Sequence, residues 1–304
     1  MNTTCTFSLQ PTFDPSCFPD LRLFDRAFLT QLALVQNLLH RHPFTEAIRK
    51  GFSRFLKNER IDSDELLKDS FQYNPKSFMN DNVILACEDT TLVRYSNLDA
   101  GPLMSGFDTG YVTHYAVAVA PGTGIPLGWM GAIVLNRADT PHRNHNHQSR
   151  PMNERESIKW SLVRDCVHEN AKNIGFEGLI ISLNDSEGDA WSSLTDAVEK
   201  DRKIIVRSCQ NRKLENSNVK LREFVHKKPS KAKMTFTTYT KLKSGKVSHR
   251  KAFTDIRWEK VILAPPKDFF AKKTPLPFYA IEVFEKNPPK KRKDLKVTCL
   301  QTAK

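Results

Sequence analysis

Two short apolar runs, each leading into an acidic residue, constrain this chain more than any other feature in it. Val83-Ile84-Leu85-Ala86-Cys87 runs into Glu88-Asp89-Thr90-Thr91, and Leu179-Ile180-Ile181-Ser182-Leu183 runs into Asn184-Asp185-Ser186-Glu187-Gly188-Asp189. Runs of this length and composition read as strands buried in a sheet, the pattern of parallel neighbours. A carboxylate following such a strand is costly to keep charged unless a cation or hydrogen-bond donors compensate. If the two strands pair in parallel, Asp89 and Asp185 come to one edge of the sheet. Either aspartate taken alone also fits a loop residue or a helix cap.

The residues between these runs set the fold class. Tyr111 to Val119 and Trp129 to Leu135 read as strands, and turns near Gly110 and at Pro121-Gly122-Thr123-Gly124 make a meander with the first run. A polar loop from Arg137 to Arg150 precedes a helix with Ile158, Leu162, Cys166 and Val167 on one face. Asn153 and Glu156 resemble a capping box for it, and Gly175 supplies its stop. Ala190 to Val198 reads as a second helix and Lys203 to Val206 as a further strand. The order β-β-β-α-β-α-β predicts an α/β, ribonuclease-H-like mixed sheet with flanking helices over residues 76–304, the first and fourth strands being parallel neighbours. Residues 1–75, with apolar stretches at Leu32 to Leu39 and Phe52 to Leu56, predict a small helical domain bounded by Asn74-Pro75-Lys76. From about 208 to 290 the chain predicts a basic, β-rich insertion carrying Met234 to Tyr239 and Trp258 to Leu263.

Charge points to a partner. The chain carries a formal +13, and between Arg222 and Lys296 there are 21 Lys and Arg against 7 Asp and Glu, so this segment supplies the whole excess. A basic protein without membrane features meets nucleic acid through phosphate neutralisation. Lys227, Lys228, Lys231, Lys241, Lys243, Arg250 and Lys251 are the candidate contacts to a DNA backbone, and Arg207, beside the two aspartates, is the candidate cation nearest the chemistry. A solvated charged surface is the alternative for the lysine-rich face. No segment has the ~20 apolar residues of a membrane span, and the polar start has no signal layout. The six cysteines form no C-x-x-C pair. We therefore expect reduced thiols, an intracellular protein and no zinc site. Two strand-end carboxylates suit Mg2+ or Mn2+. The residue pattern by itself thus predicts a metal-dependent nucleic-acid enzyme.

Ala86-Cys87-Glu88-Asp89-Thr90-Thr91 resembles the E-D-T-T segment of DDE transposases of the Tn-five-like, insertion-sequence-four family. Asp185-Ser186-Glu187-Gly188-Asp189 is similar to that family's D-R-E-A-D segment. Glu154 to Trp160 resembles its E-K-E-S-G-K-W helix start, Ile204 to Ser208 its V-V-R-S strand, and Gly51 to Asn58 its Y-R-F-I-x-N stretch. The resemblance covers roughly residues 45 to 300. It implies that Asp89 and Asp185 are the first two catalytic and metal-binding carboxylates of a two-metal site, acting in cut-and-paste transposition on double-stranded transposon ends. It further implies a homodimer assembled on DNA and a cytoplasmic, nucleoid-associated bacterial protein.

The departures matter equally. Ser186 stands where the family has arginine, and Val297 where it has the tryptophan that assists base flipping. The family's third carboxylate lies in a Y-x-x-R-x-x-x-E helix that the sequence does not reach before Lys304. We therefore expect weak metal placement and little transposition from these residues alone, with a catalytically dead DNA-binding remnant, or an inhibitor of a full-length relative, as the alternative reading. Another ribonuclease-H-like nuclease is the third. His142, His145 and His147 have metal-ligand spacing but sit in a polar loop. Pro288 to Lys293 reads as a phosphate-contacting turn, with a nuclear localisation signal as alternative. Trp160 and Trp258 read as packing residues.

Overall fold

A computed structural model describes residues 50, 51, 54, 57–60, 82–95, 103–105, 108–124, 126–135, 156–215, 217–241, 247–266, 274–286 and 296–303. The chain divides into two compact units, Met1–Leu67 and Lys68–Lys304. The expected helical domain lies almost wholly outside the described residues, as do the His142 to His147 loop, Asn153, Lys243 and the Pro288 to Lys293 turn.

In the second unit the described residues form one large mixed sheet of 12 strands with few helices. The strands are β1 (Val83–Tyr95), β2 (Leu103–Ser105), β3 (Asp108–Val119), β4 (Pro126–Leu135), β5 (Leu179–Asn184), β6 (Lys203–Arg207), β7 (Lys213–Leu214), β8 (Ser217–Lys220), β9 (Ala232–Lys241), β10 (Val247–Leu263), β11 (Leu276–Glu285) and β12 (Lys296–Thr302). Their order is β2-β3-β1-β5-β6-β12-β11-β10-β7-β8, with β4 on β3 and β9 on β10. β1 pairs in parallel with β5, the pairing expected from the two apolar runs, and β5 in parallel with β6. β12 returns antiparallel to β6 and joins the basic strands to the same sheet.

Alternation decides which residues go where. Ile84, Ala86 and Glu88 of β1 and Ile180, Ser182 and Asn184 of β5 are buried on one face. That face is covered by α1 (Ile158–Asn173) and α2 (Trp191–Glu199). Val163 and Val167 of α1 pack with Ile84, Ala86, Ala116 and Met130. Leu194 and Ala197 of α2 pack with Ile204, Val206, Phe278 and Leu300. A short helix, α3 (Leu221–His226), adds Leu221 and Val225 to the second cluster.

Four expectations need correction. The buried stripe of α1 is Trp160, Val163, Arg164, Val167 and Ala171, while Leu162 is exposed and Ile158 and Cys166 are half-buried. The stripe is rotated because Arg164 comes to meet Ser193 and Asp196 of α2, and Lys159 comes to meet Glu187 of the turn after β5. The α1 N-cap is Ser157, without a side-chain cap, so the proposed capping box does not operate; Glu156 instead accepts from Lys159 Nζ at 3.2 Å. Gly110 is no turn but a β3 residue opposite Arg94. β1 does not end at Glu88 to Thr91 but continues along β3 to Tyr95. Gly175 does end α1, with a φ of 72° that only glycine adopts at little cost.

Candidate functional site

The parallel ladder makes the two aspartates neighbours. Its last β1–β5 pair is Glu88 with Asn184, so the next residues, Asp89 in β1 and Asp185 just past the end of β5, come to the same end of the ladder. On the other flank Asn184 pairs with Val206, which brings Arg207 beside Asp185. By alternation Asp89 and Arg207 point to the face opposite α1 and α2, and all three residues are exposed. The row extends to Tyr115, paired with Asp89, and to Cys299, paired with Arg207. Trp129 meets Tyr115 edge-on at 5.1 Å between ring centres.

Each carboxylate has one oxygen held by a backbone amide. Asp89 Oδ1 accepts from the Thr90 amide at 2.8 Å, and Asp185 Oδ1 accepts from the Glu187 amide at 2.8 Å as it caps the 3-10 turn Ser186–Gly188. This arrangement orients both groups and leaves the second oxygen of each for a ligand. Among the described residues neither aspartate is in an ion pair, and no three His, Cys, Asp or Glu side chains converge as a ligand set. The donor set is therefore two hard oxygens, which fits Mg2+ or Mn2+, ions commonly held by one or two carboxylates with water and phosphate oxygens completing the shell.

Beside the row, where β6 ends, lies a cleft of about 480 Å³ lined by Ser186, Arg207, Ser208, Cys209, Arg222, Lys296, Val297 and Thr298. Among the described residues three cations and three hydroxyls line it and no carboxylate does, which suits an anion. Arg207 donates to Ser186 Oγ at 3.1 Å, and Arg222 donates to the Cys209 carbonyl at 2.9 Å. The cleft wall is anchored by Asp189, which is buried. Its Oδ2 accepts from the Cys209 and Gln210 amides, both at 2.9 Å, and from Ser208 Oγ at 3.1 Å, while Oδ1 accepts from Arg212 Nε at 3.0 Å.

Directly beneath the row, on the helix face, is a buried polar network. Asn184 Nδ2 donates to Glu88 Oε2 at 2.6 Å, and His114 Nδ1 meets Thr90 Oγ1 at 3.0 Å. The His114 ring packs on Trp160 at 4.2 Å, and Arg164 donates to Ser193 Oγ at 2.9 Å. Burial pushes the Glu88 carboxyl up to about 7, against the opposing charge of Arg164 and hydrogen bonds from Ser182 and Asn184. Burial, reinforced by the charge of Lys159, lowers His114 to about 3.

The other candidate cations are dispersed. Lys227 and Lys251 are exposed, Lys228 lies 4.4 Å from the Phe224 ring centre, and Lys231 pairs with Glu259 at 3.4 Å and sits over Trp258. Arg250 binds both oxygens of Glu285, with NH2 to Oε2 at 2.8 Å. Lys241 closes β9, and its side chain lies outside the described residues. Arg222 and Lys296 are cleft cations that the sequence reading missed; nothing local marks them among so many lysines and arginines. Glu282 of β11 is fully buried on the helix face, bound by His226 at 2.9 Å, Arg257 at 2.9 Å and Lys296 at 3.2 Å. Burial pushes its carboxyl up, but these partners outweigh it and hold it below the usual carboxylate range. No family model matches this chain, and no curated protein matches it. Among the described residues, no helix is long and apolar enough to cross a membrane.

Proposed function

We propose that Lys68–Lys304 is the ribonuclease-H-like core of a DNA transposase of the Tn-five-like, insertion-sequence-four kind, with Asp89 and Asp185 as two of its metal-binding carboxylates. The observation that carries this reading is the row Asp89, Asp185, Arg207 at one end of three neighbouring parallel strands, all three exposed. The central position of β1, flanked by antiparallel β3 and parallel β5, supports the ribonuclease-H-like architecture. The chemistry that bound Mg2+ would supply is activation of an oxygen nucleophile and stabilisation of the leaving oxygen at a DNA phosphate. The chain's own residues do the rest. The Thr90 and Glu187 amides orient the carboxylates, Arg207 neutralises phosphate beside them, and Arg222 and Lys296 hold the adjoining backbone in the cleft. Lys227, Lys228 and Lys251 extend the contact to flanking duplex, and two copies assemble on paired transposon ends.

A second reading, a DNA-binding protein without cleavage, is favoured by the fate of the nearby carboxylates. Glu282 faces the helices and is bound by three cations, and both oxygens of Glu285 are bound by Arg250, so neither completes a triad in the row.

One set of samples tests both. Mn2+ binding, followed by electron paramagnetic resonance, should weaken about tenfold or more in Asp89→Asn and in Asp185→Asn. DNA binding should survive both changes, while Arg207→Ala should weaken it and lower its salt slope by about 1. Mn2+ binding with no cleavage of DNA would select the second reading. Unchanged Mn2+ binding in both Asn variants would remove the site assignment altogether.

A further inference from the structure

Asp89 is held to β3 by the antiparallel ladder, but the β1–β5 ladder stops one residue short of the two carboxylates. Main-chain pairing between β1 and β5 stops at Glu88 and Asn184, and Asp185 already belongs to the 3-10 turn. The last tie across the two strands is the side-chain bond from Asn184 Nδ2 to Glu88 Oε2, 2.6 Å long and on the face opposite Asp89. Gly188 closes the turn back over Asn184, so closely that a Cβ placed there would stand 2.7 Å from the Asn184 Cβ and 3.5 Å from the Trp160 ring. Asn184 is thus gripped between β1 and the turn that carries Asp185. On the other side of Asp89, Thr90 is tied to His114 of β3. Both neighbours of Asp89 are therefore bound to flanking strands on the hidden face, while Asp89 itself points out.

This arrangement is expensive. Glu88 Oε1, Asn184 Oδ1, His114 Nε2 and Arg164 NH1 are buried without a hydrogen-bond partner. Each such atom costs stability, and an apolar substitute would pack the same space more cheaply. A costly polar pair at the one point where the parallel ladder ends marks a positional role and not a stabilising one.

We propose that Glu88 and Asn184 form a clasp that fixes the separation of Asp89 and Asp185 from beneath, making them positioning residues for divalent-cation binding. The proposal rests on the metal-site reading above for its consequence, but not for its geometry. Glu88→Gln keeps an oxygen to accept from Asn184 and therefore rescues the clasp. Glu88→Ala and Asn184→Ala break it.

Two readouts on the full chain decide the matter. The first needs no metal: the Thr90 and Glu187 amides donate to the two aspartates, so their hydrogen exchange reports the aspartates' placement. Exchange at both should quicken about tenfold in Glu88→Ala and Asn184→Ala, and stay near the wild-type rate in Glu88→Gln and in the core control Val167→Ala. The second is Mn2+ affinity by electron paramagnetic resonance, expected to fall about tenfold in the two Ala variants, with rescue in Glu88→Gln. Unchanged exchange in both Ala variants overturns the clasp, as does equal acceleration in Val167→Ala, which would mean general loosening. Quickened exchange in a protein that binds no Mn2+ keeps the clasp and overturns only the metal site.

Discussion

Asp189→Ala is expected to cost about 3–5 kcal/mol of unfolding free energy, the effect of removing one partner of a buried ion pair. The side chain of Asp189 is fully buried, that of Arg212 is only 9% exposed, and the two meet at 2.5 Å. Without the carboxylate, the guanidinium and the amides of Cys209 and Gln210 lose their acceptor in a place that water reaches poorly. Asp189→Asn should do little better. Its oxygen can still take the two amides, but its NH2 then faces the N–H groups of Arg212, donor against donor. Urea unfolding at neutral pH would measure both, with Asp185→Asn as a comparison expected within about 1 kcal/mol of wild type because that side chain is exposed. The same variants should lose the anion cleft, since Asp189 holds the loop that forms its wall. A loss below about 1 kcal/mol in Asp189→Ala would mean the loop stands without this anchor.

How much of this could be read from the sequence depended on range. The β1 and β5 runs and the neighbouring aspartates were legible because period-2 burial and strand parity are local properties: once Val83 to Glu88 pairs with Leu179 to Asn184, Asp89 and Asp185 come to the same end of the ladder. The helix stop at Gly175 was legible for the same reason. The buried face of α1 was not. Arg164 and Lys159 look solvent-facing in sequence, yet both are buried because Asp196 lies 3.7 Å from Arg164, and Glu156 and Glu187 lie within 3.6 Å of Lys159. Asp196 and Glu187 sit on other elements, and their proximity is a product of packing; Glu156 is a local partner, three residues before Lys159. The cleft cations were illegible likewise. Arg222 and Lys296 are separated by most of the basic strands and meet Arg207 only because β12 returns along β6 with Cys299 opposite Arg207. Arg250, an attractive DNA contact by charge, is bound to Glu285, an assignment that needed the β10–β11 register.

Glu88 and His114 should oppose each other in the pH dependence of this protein's stability, leaving the slope set by His168 of α1, which burial lowers to about 4. The Glu88 carboxyl, raised to about 7 in the folded chain from an ordinary 4.5, stays protonated after its unfolded counterpart has ionised. Its contribution is fully present below pH 4.5 and is lost as pH rises towards 7, amounting to roughly 3 kcal/mol. His114, lowered to about 3 from 6.5, stays neutral while the unfolded chain takes up a proton. Its contribution is fully present above pH 6.5 and is lost as pH falls towards 3. Between pH 4.5 and 6.5 the folded chain holds one extra proton on Glu88 and the unfolded chain one extra on His114, so these two slopes of about 1.4 kcal/mol per pH unit cancel and the slope of His168 remains, with stability falling as pH drops below 6.5. Glu88→Gln uncovers His114, and stability should then fall at about twice that slope as pH drops below 6.5, His114 and His168 acting together. His114→Gln leaves Glu88 to offset His168, and stability should then be nearly flat between pH 4.5 and 6.5. Urea unfolding of the three proteins at half-unit steps from pH 4.5 to 7 separates these cases. Parallel curves for wild type and both variants would show that neither group titrates differently in the folded and unfolded chain, and that the network beneath the aspartates is open to water.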